Sequence, residues 1–271
     1  MKRETVRLPI GSGSFYPGSK EALRKELERL LGEKLERRKA LGLISPHAGY
    51  VYSGRVMGSV FSRIDVPDTV LILAPNHTGL GAPYSIWPEG CWSTPLGDVR
   101  TDDELVHEIL GSCDLIKEDK DAHSREHSAE VILPFLQYIN PHVKIAVIVI
   151  RSKTYDDLKL IGKSIGAVLR KTQPDTLVIA SSDMTHYETQ QSANKKDTLA
   201  VTEILALREE GLYHVVHDLN ITMCGIDPVI SMLVCSKERM ATKAELIRYE
   251  TSGAVSGDYD NVVGYAGIIV E

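Results

Sequence analysis

The chain has 271 residues, of which 43% are hydrophobic and 25% charged, with a formal net charge of −6 at pH 7. That balance is that of a globular protein with a buried core, one large α/β domain or two small ones. The negative charge gives no electrostatic basis for binding nucleic acid or an anionic membrane.

No apolar run is long enough to span a bilayer. The N-terminal stretch MKRETVRLPI is basic but lacks the apolar core and cleavage site of a signal peptide. Cys91, Cys113, Cys224 and Cys235 are far apart and form no CxxC pair. This points to a reducing cytoplasm, not to a disulfide framework or a zinc knuckle.

In chain order, GSGSFYPG (11–18) lacks the GxxxxGK[ST] form of a phosphate loop and reads as a turn. Ser12 and Tyr16 within it are candidate pocket-wall residues. Ser19 is the expected N-cap of a helix over 19–41, with Leu23, Leu27, Leu30, Leu31 and Leu35 on one stripe. Five short Val/Ile-rich runs then read as strands buried on both faces: 41–45, 69–75, 144–150, 176–182 and 262–270. Helices are expected over 102–111, 127–138, 155–171, 194–210 and 227–235, the last opened by Asp227-Pro228. The Gly- and Pro-rich stretch 76–100 is expected to hold a small hairpin and to cover a pocket. Alternating strands and helices predict one α/β domain over 1–271, a mostly parallel sheet with helices on both faces.

Three of these strands end near histidine. LGLIS is followed by Pro46-His47, LILAP by Asn76-His77, and LVIASS by Asp183 and His186. Ligands of open α/β sheets bind beyond the carboxyl ends of the strands, so parallel strands would bring these three imidazoles together. Alone, each would be an ordinary loop residue. In the run 121–137, His127 and Glu130 stand three apart at a helix start, either as pocket groups or as a plain helix terminus. Cys224 precedes the helix expected at Asp227. There a thiol has its pKa lowered, although a small buried hydrophobe is the commoner fate of a free cysteine. Cys91, Cys113 and Cys235 are expected to be buried hydrophobes. His107, His142, His214 and His217 are read as surface or local contacts.

The segments GSFYPG (13–18), SPHAGYVYSG (45–54), LAPNHTGLG (73–81), REHSAEVILPFL (125–136), SSDMTHY (181–187) and TMCGIDPV (222–229) resemble the Memo family, also called AmmeMemoRadiSam system protein B, over nearly the whole chain. The resemblance implies a fold like that of class III extradiol dioxygenases of the protocatechuate 4,5-dioxygenase B-subunit type, whose non-haem iron is held by two His and one Glu. It implies that His47, His77 and Cys224 are ligands of an iron or copper ion. It also implies that His186 is an acid/base residue with Asp183 beside it, and that His127 contacts substrate or supports a ligand. Tyr52 and Asn76, within the two histidine motifs, join Ser12 and Tyr16 as expected pocket residues. Cysteine in place of glutamate argues against ring cleavage, because a thiolate is softer and itself oxidisable. The family's eukaryotic members are linked to cell motility and to phosphotyrosine-peptide binding. Its prokaryotic members are often encoded with radical-SAM and AMMECR1-type proteins.

Two functions follow as expectations. One is a metal-dependent oxidoreductase acting on a small molecule. The other is a binding or scaffold protein that keeps an enzyme-derived pocket for a peptide or small ligand. A structural zinc site would need a fourth ligand, with His186 or Asp183 as candidates.

Overall fold

A computed structural model describes residues 5–33, 35–151 and 154–271. Its sheet is mixed and mostly parallel. Thr69–Pro75 lies between Lys144–Ile150 and Leu177–Ser181, parallel to both, and Gly42–Ser45 continues the parallel run beyond Leu177–Ser181. Val262–Val270 then pairs antiparallel with Gly42–Ser45, and Ala244–Thr251 and His186–Glu188 pair antiparallel with it. At the other side, Gly97–Thr101 joins Lys144–Ile150 in parallel and forms the expected hairpin with Cys91–Thr94.

The strands read as continuous apolar runs because both faces are covered. Along Thr69–Pro75, Leu71 and Leu73 enter one core, while Val70, Ile72 and Ala74 enter the other. The first core is closed by the helices Asp103–Ser112, Tyr155–Thr172 and Ile226–Glu238, the second by Lys20–Leu31, Tyr50–Phe61 and Leu133–Ile139. No helix among the described residues is long and apolar enough to cross a membrane. All four cysteines are free, and Cys91, Cys113 and Cys235 are buried.

Several boundaries differ from the sequence expectation. Ser19 does cap the first helix, accepting from Ala22 N, but the helix ends at Leu31. Gly32 turns left-handed there (φ 63°), which leaves Leu35 exposed. The helix expected over 194–210 runs from Gln190 to Leu205, and a second, Glu209–Asp218, follows left-handed Leu207. The segment 127–138 starts as a 3-10 turn, Glu130–Ile132. The last expected helix is capped by Gly225, not by Asp227, which lies in its first turn.

Several elements were not expected, among them one long helix and one long strand. The helix Tyr50–Phe61 follows the His47 turn directly and carries Gly54 and Gly58 against the first helix. A Cβ on Gly58 would stand 2.0 Å from the Leu30 carbonyl oxygen, so glycine is required for the close approach. The strand Ala244–Thr251 is half-buried and charged, without the apolar run of the others.

Candidate metal centre

The parallel register sets Ser45 beside Ser181 and Leu73 beside Ala180. Three chains therefore leave the sheet at one edge. His47, His77 and Asp183 each stand two residues beyond their strands.

His47 is buried and held at both ends of its residue. Its backbone N–H donates to Asp183 Oδ1 at 2.9 Å, and its Nδ1 lies 2.7 Å from Ser181 Oγ. Ser181 commits its own hydroxyl proton to the Ser128 carbonyl at 2.8 Å. Ser181 therefore accepts from His47 Nδ1–H, and the ring's lone pair is on Nε2. Burial, and then the neighbouring His77 and His127, hold His47 well below the usual imidazole pKa, so the ring is neutral.

His77 stands at the mouth, its side chain 34% exposed. Its backbone N–H donates to Glu126 Oε2 at 2.6 Å and its Nδ1 to Glu126 Oε1 at 2.9 Å. The carboxylate only accepts, so Nε2 again carries the lone pair. Burial opposes charge on both partners. The hydrogen bond between them outweighs it, raising the His77 pKa and lowering that of Glu126 to about 2. Ser128 N–H and Oγ also donate to Glu126.

Cys224 places its sulfur 3.4 Å from His47 Nε2 and accepts from Asp183 N–H at 3.2 Å. Burial and the Asp183 charge push the thiol well above its ordinary pKa. This corrects the lowering expected from the helix terminus, which those two effects exceed. Gly225 makes the placement possible, since a Cβ there would lie 2.2 Å from the Ser181 carbonyl oxygen. Burial likewise raises the Asp183 carboxyl, against the backbone hydrogen bond from His47 and the charge of His186.

His186 lies farther out and half-buried. Its Nδ1 donates to the Thr222 carbonyl at 2.9 Å, which leaves Nε2 as the basic nitrogen of the neutral ring. The turn before it is clamped by buried Asp197, which accepts from Thr185 N–H, Thr185 Oγ and Tyr249 O–H. His127 stacks on His77 with centroids 5.2 Å apart, and it also meets the Phe15 ring at 4.4 Å and the edge of the His47 ring at 5.6 Å. Glu130 does not join it. That carboxylate is fully buried in an ion pair with Arg7 and accepts from Tyr16 O–H at 2.6 Å.

The remaining expected pocket residues divide. Tyr16 is buried on Glu130, with Ser12 in the same turn, bridged to it. Asn76 shapes its own loop, accepting from Gly79 N–H and Thr78 O–H and donating to the Leu80 carbonyl. Tyr52 is 39% exposed and lies within electrostatic reach of the buried Tyr265 hydroxyl, as do Asp183 and Tyr187. Glu126, Ser181, Ser128, Phe15 and Asp197 were not singled out in the sequence. Glu126 and Ser128 lie inside the quoted REHSAE stretch, where only His127 and Glu130 drew notice.

The donor chemistry fits a metal ion. His47, His77 and Cys224 each offer one ligand atom, all within 4.8 Å of one another. A tetrahedral ion bonding nitrogen at about 2.0–2.1 Å and sulfur at about 2.3 Å separates those two atoms by about 3.5 Å. His47 Nε2 and Cys224 Sγ, at 3.4 Å, already meet that spacing. Three donors leave a coordination position open.

A family model described as Memo-like protein matches residues 7–269. A MEMO1 family protein of Methanocaldococcus jannaschii is 41% identical, with 98% of this chain and 99% of that protein aligned. One from Aquifex aeolicus is 42% identical over 97% and 98%. Among solved structures, an uncharacterized protein of Escherichia coli K12 shares the fold, with a TM-score of 0.56 at 12% identity, covering 85% of this chain and 100% of that one.

Proposed function

Because this chain belongs to the Memo-like family, we propose that its strand-edge pocket is a His₂Cys metal centre serving a redox reaction on a small molecule. The observation that carries this reading is the directed lone pair of His47. Ser181 fixes the tautomer, and Nε2 faces the Cys224 sulfur at 3.4 Å. Glu126 does the same for His77. Two neutral imidazoles and a thiol suit copper, iron or zinc, and the open position favours a reactive ion over a closed structural one.

A bound iron or copper ion supplies one-electron exchange at that position. The chain does the rest. Asp183 ties the His47 turn to the Cys224 turn through one carboxylate and one amide. His186, whose Nδ1 is occupied by Thr222, takes or returns a proton at Nε2. The rings of Phe15 and His127 exclude water from one wall.

The test is metal content by mass spectrometry on protein purified without oxygen and without affinity-tag metal. Near-stoichiometric iron or copper is expected in wild type and in His186→Ala, falling at least tenfold in Cys224→Ala and His47→Ala. Equal content in all four, or no uptake of added Fe(II) or Cu(I), overturns the reading.

A further inference from the structure

Beside the His47–His77–Cys224 set lies a second group of metal-ligating side chains, which shares His77 with the first. His77, Glu126 and His127 also offer ligand atoms within 4.8 Å of one another. Glu126 Oε1 stands 2.9 Å from His77 Nδ1 and 3.7 Å from His127 Nδ1. An ion bonding nitrogen and oxygen at about 2.0–2.2 Å holds its donors about 2.9–3.5 Å apart. The two rings stack beside that carboxylate oxygen, 18° apart with centroids separated by 5.2 Å.

His127 is the member of this group whose ring is not already committed. It is half-buried, yet its ring makes no hydrogen bond among the described residues. Its nearest polar neighbour is Glu126 Oε1, beyond hydrogen-bond range.

We propose that His77, His127 and Glu126 form a second, two-histidine-one-carboxylate position for a hard divalent cation such as Mn(II). It is an alternative to the thiolate set, not an addition. His77 belongs to both, and a neutral imidazole has one lone pair to give. Soft or borderline ions go to the thiolate side, and hard ions go to the carboxylate side. Entry of the hard ion switches His77 to its other tautomer: the Nδ1 proton leaves to solvent, Nε2 takes one up from solvent, and Nδ1 exchanges its hydrogen bond to Glu126 for a bond to the ion they then share. The proposal shares His77 with the His₂Cys reading but stands without it, because neither Cys224 nor His47 contributes a donor.

The experiment is a titration of purified protein with Mn(II), followed by the electron paramagnetic resonance signal of the free ion. One bound Mn(II) is expected in wild type. His47→Ala and Cys224→Ala, which break only the thiolate set, retain affinity within about threefold. His127→Ala, which breaks only the carboxylate set, loses at least tenfold, and Glu126→Gln loses as much. Preloading wild type with one equivalent of Cu(I) blocks Mn(II), because His77 is taken. The proposal is overturned if Mn(II) does not bind, if His127→Ala binds it as wild type does, or if Cys224→Ala and His47→Ala abolish it. Circular dichroism on each variant separates lost ligands from lost fold. The His₂Cys reading fails separately, on the copper content of Cys224→Ala.

Discussion

Ser181 decides which nitrogen of His47 is available. Its hydroxyl gives its proton to the Ser128 carbonyl and so accepts from His47 Nδ1, although the two residues stand 134 positions apart in the chain. A strand residue and a strand-end residue thus act as one unit because Gly42–Ser45 and Leu177–Ser181 are paired in register.

Ser181→Ala tests that relation. The variant removes the acceptor, leaves His47 Nδ1–H unpaired in a buried place and frees the ring to change tautomer. Metal affinity is expected to fall about tenfold, at the low end for an outer-shell partner. The ¹⁵N shifts of His47 in metal-free protein should move from the Nδ1–H form toward a mixture. An unchanged tautomer with unchanged affinity would show that Ser181 only fills space.

Acid lability has two sources with defined windows. Burial first, and then the Arg7 charge, depress His123 to about 3. The folded state thus resists a proton that the unfolded chain takes near 6.5. Its contribution is complete above pH 6.5 and is lost as pH falls from there toward 3. Glu126, at about 2, contributes above its ordinary value of 4.5, and that contribution fades between 4.5 and 2. His123→Gln keeps a donor for the Ser85 carbonyl while removing one titration. The slope of unfolding free energy against pH between 6 and 4 should then drop by about one proton, near 1.4 kcal/mol per pH unit. Urea midpoints at half-unit steps measure it, and an unaltered slope would refute the assignment.

The legible parts of the molecule are those where one physical requirement dominates. Strands covered on both faces must be apolar on both, so all five stood out, and the shared direction of Gly42–Ser45, Thr69–Pro75 and Leu177–Ser181 placed His47, His77 and Asp183 at one edge. The helix Tyr50–Phe61 was hidden because Gly54 and Gly58 lower its intrinsic propensity and serve a contact with Leu30 that no local pattern reveals. The strand Ala244–Thr251 was hidden because it is half-exposed and carries Glu245, Arg248 and Glu250. Within the site, residue types that bind metals drew notice, while the groups that aim them did not. Glu126 and Ser181 are ordinary residues whose roles come from partners 49 and 134 positions away.

The Arg7–Glu130 pair is a buried charge pair whose loss should be severe. Arg7 also donates to the carbonyls of His123 and Glu126, and Glu130 accepts from Ile10 N–H, Gly11 N–H and Tyr16 O–H. Removing one charge leaves the other buried and unpaired, so Glu130→Gln is expected to cost about 3–5 kcal/mol in denaturant unfolding. Arg7→Met combined with Glu130→Gln should cost less than the two single changes summed, because the second removes the stranded charge. Strict additivity would mean that the two side chains do not act as a pair.

Gly58→Ala probes the helix that follows the His47 turn. Methyl insertion in an exposed helix is usually stabilising, but here the Cβ would meet the Leu30 carbonyl at 2.0 Å, and a backbone atom cannot rotate aside. The helices Lys20–Leu31 and Tyr50–Phe61 must therefore separate. A loss of about 2–3 kcal/mol is expected, in the range of an overpacked core. The displacement also reaches the site, because Tyr50 N–H donates to the Phe15 carbonyl and the Phe15 ring backs His127. Mn(II) and Cu(I) affinities should both weaken, although Gly58 contributes no ligand. A stability loss with both affinities intact would show that the His47 turn is held by Asp183 and Ser181 alone, independent of the helix behind it.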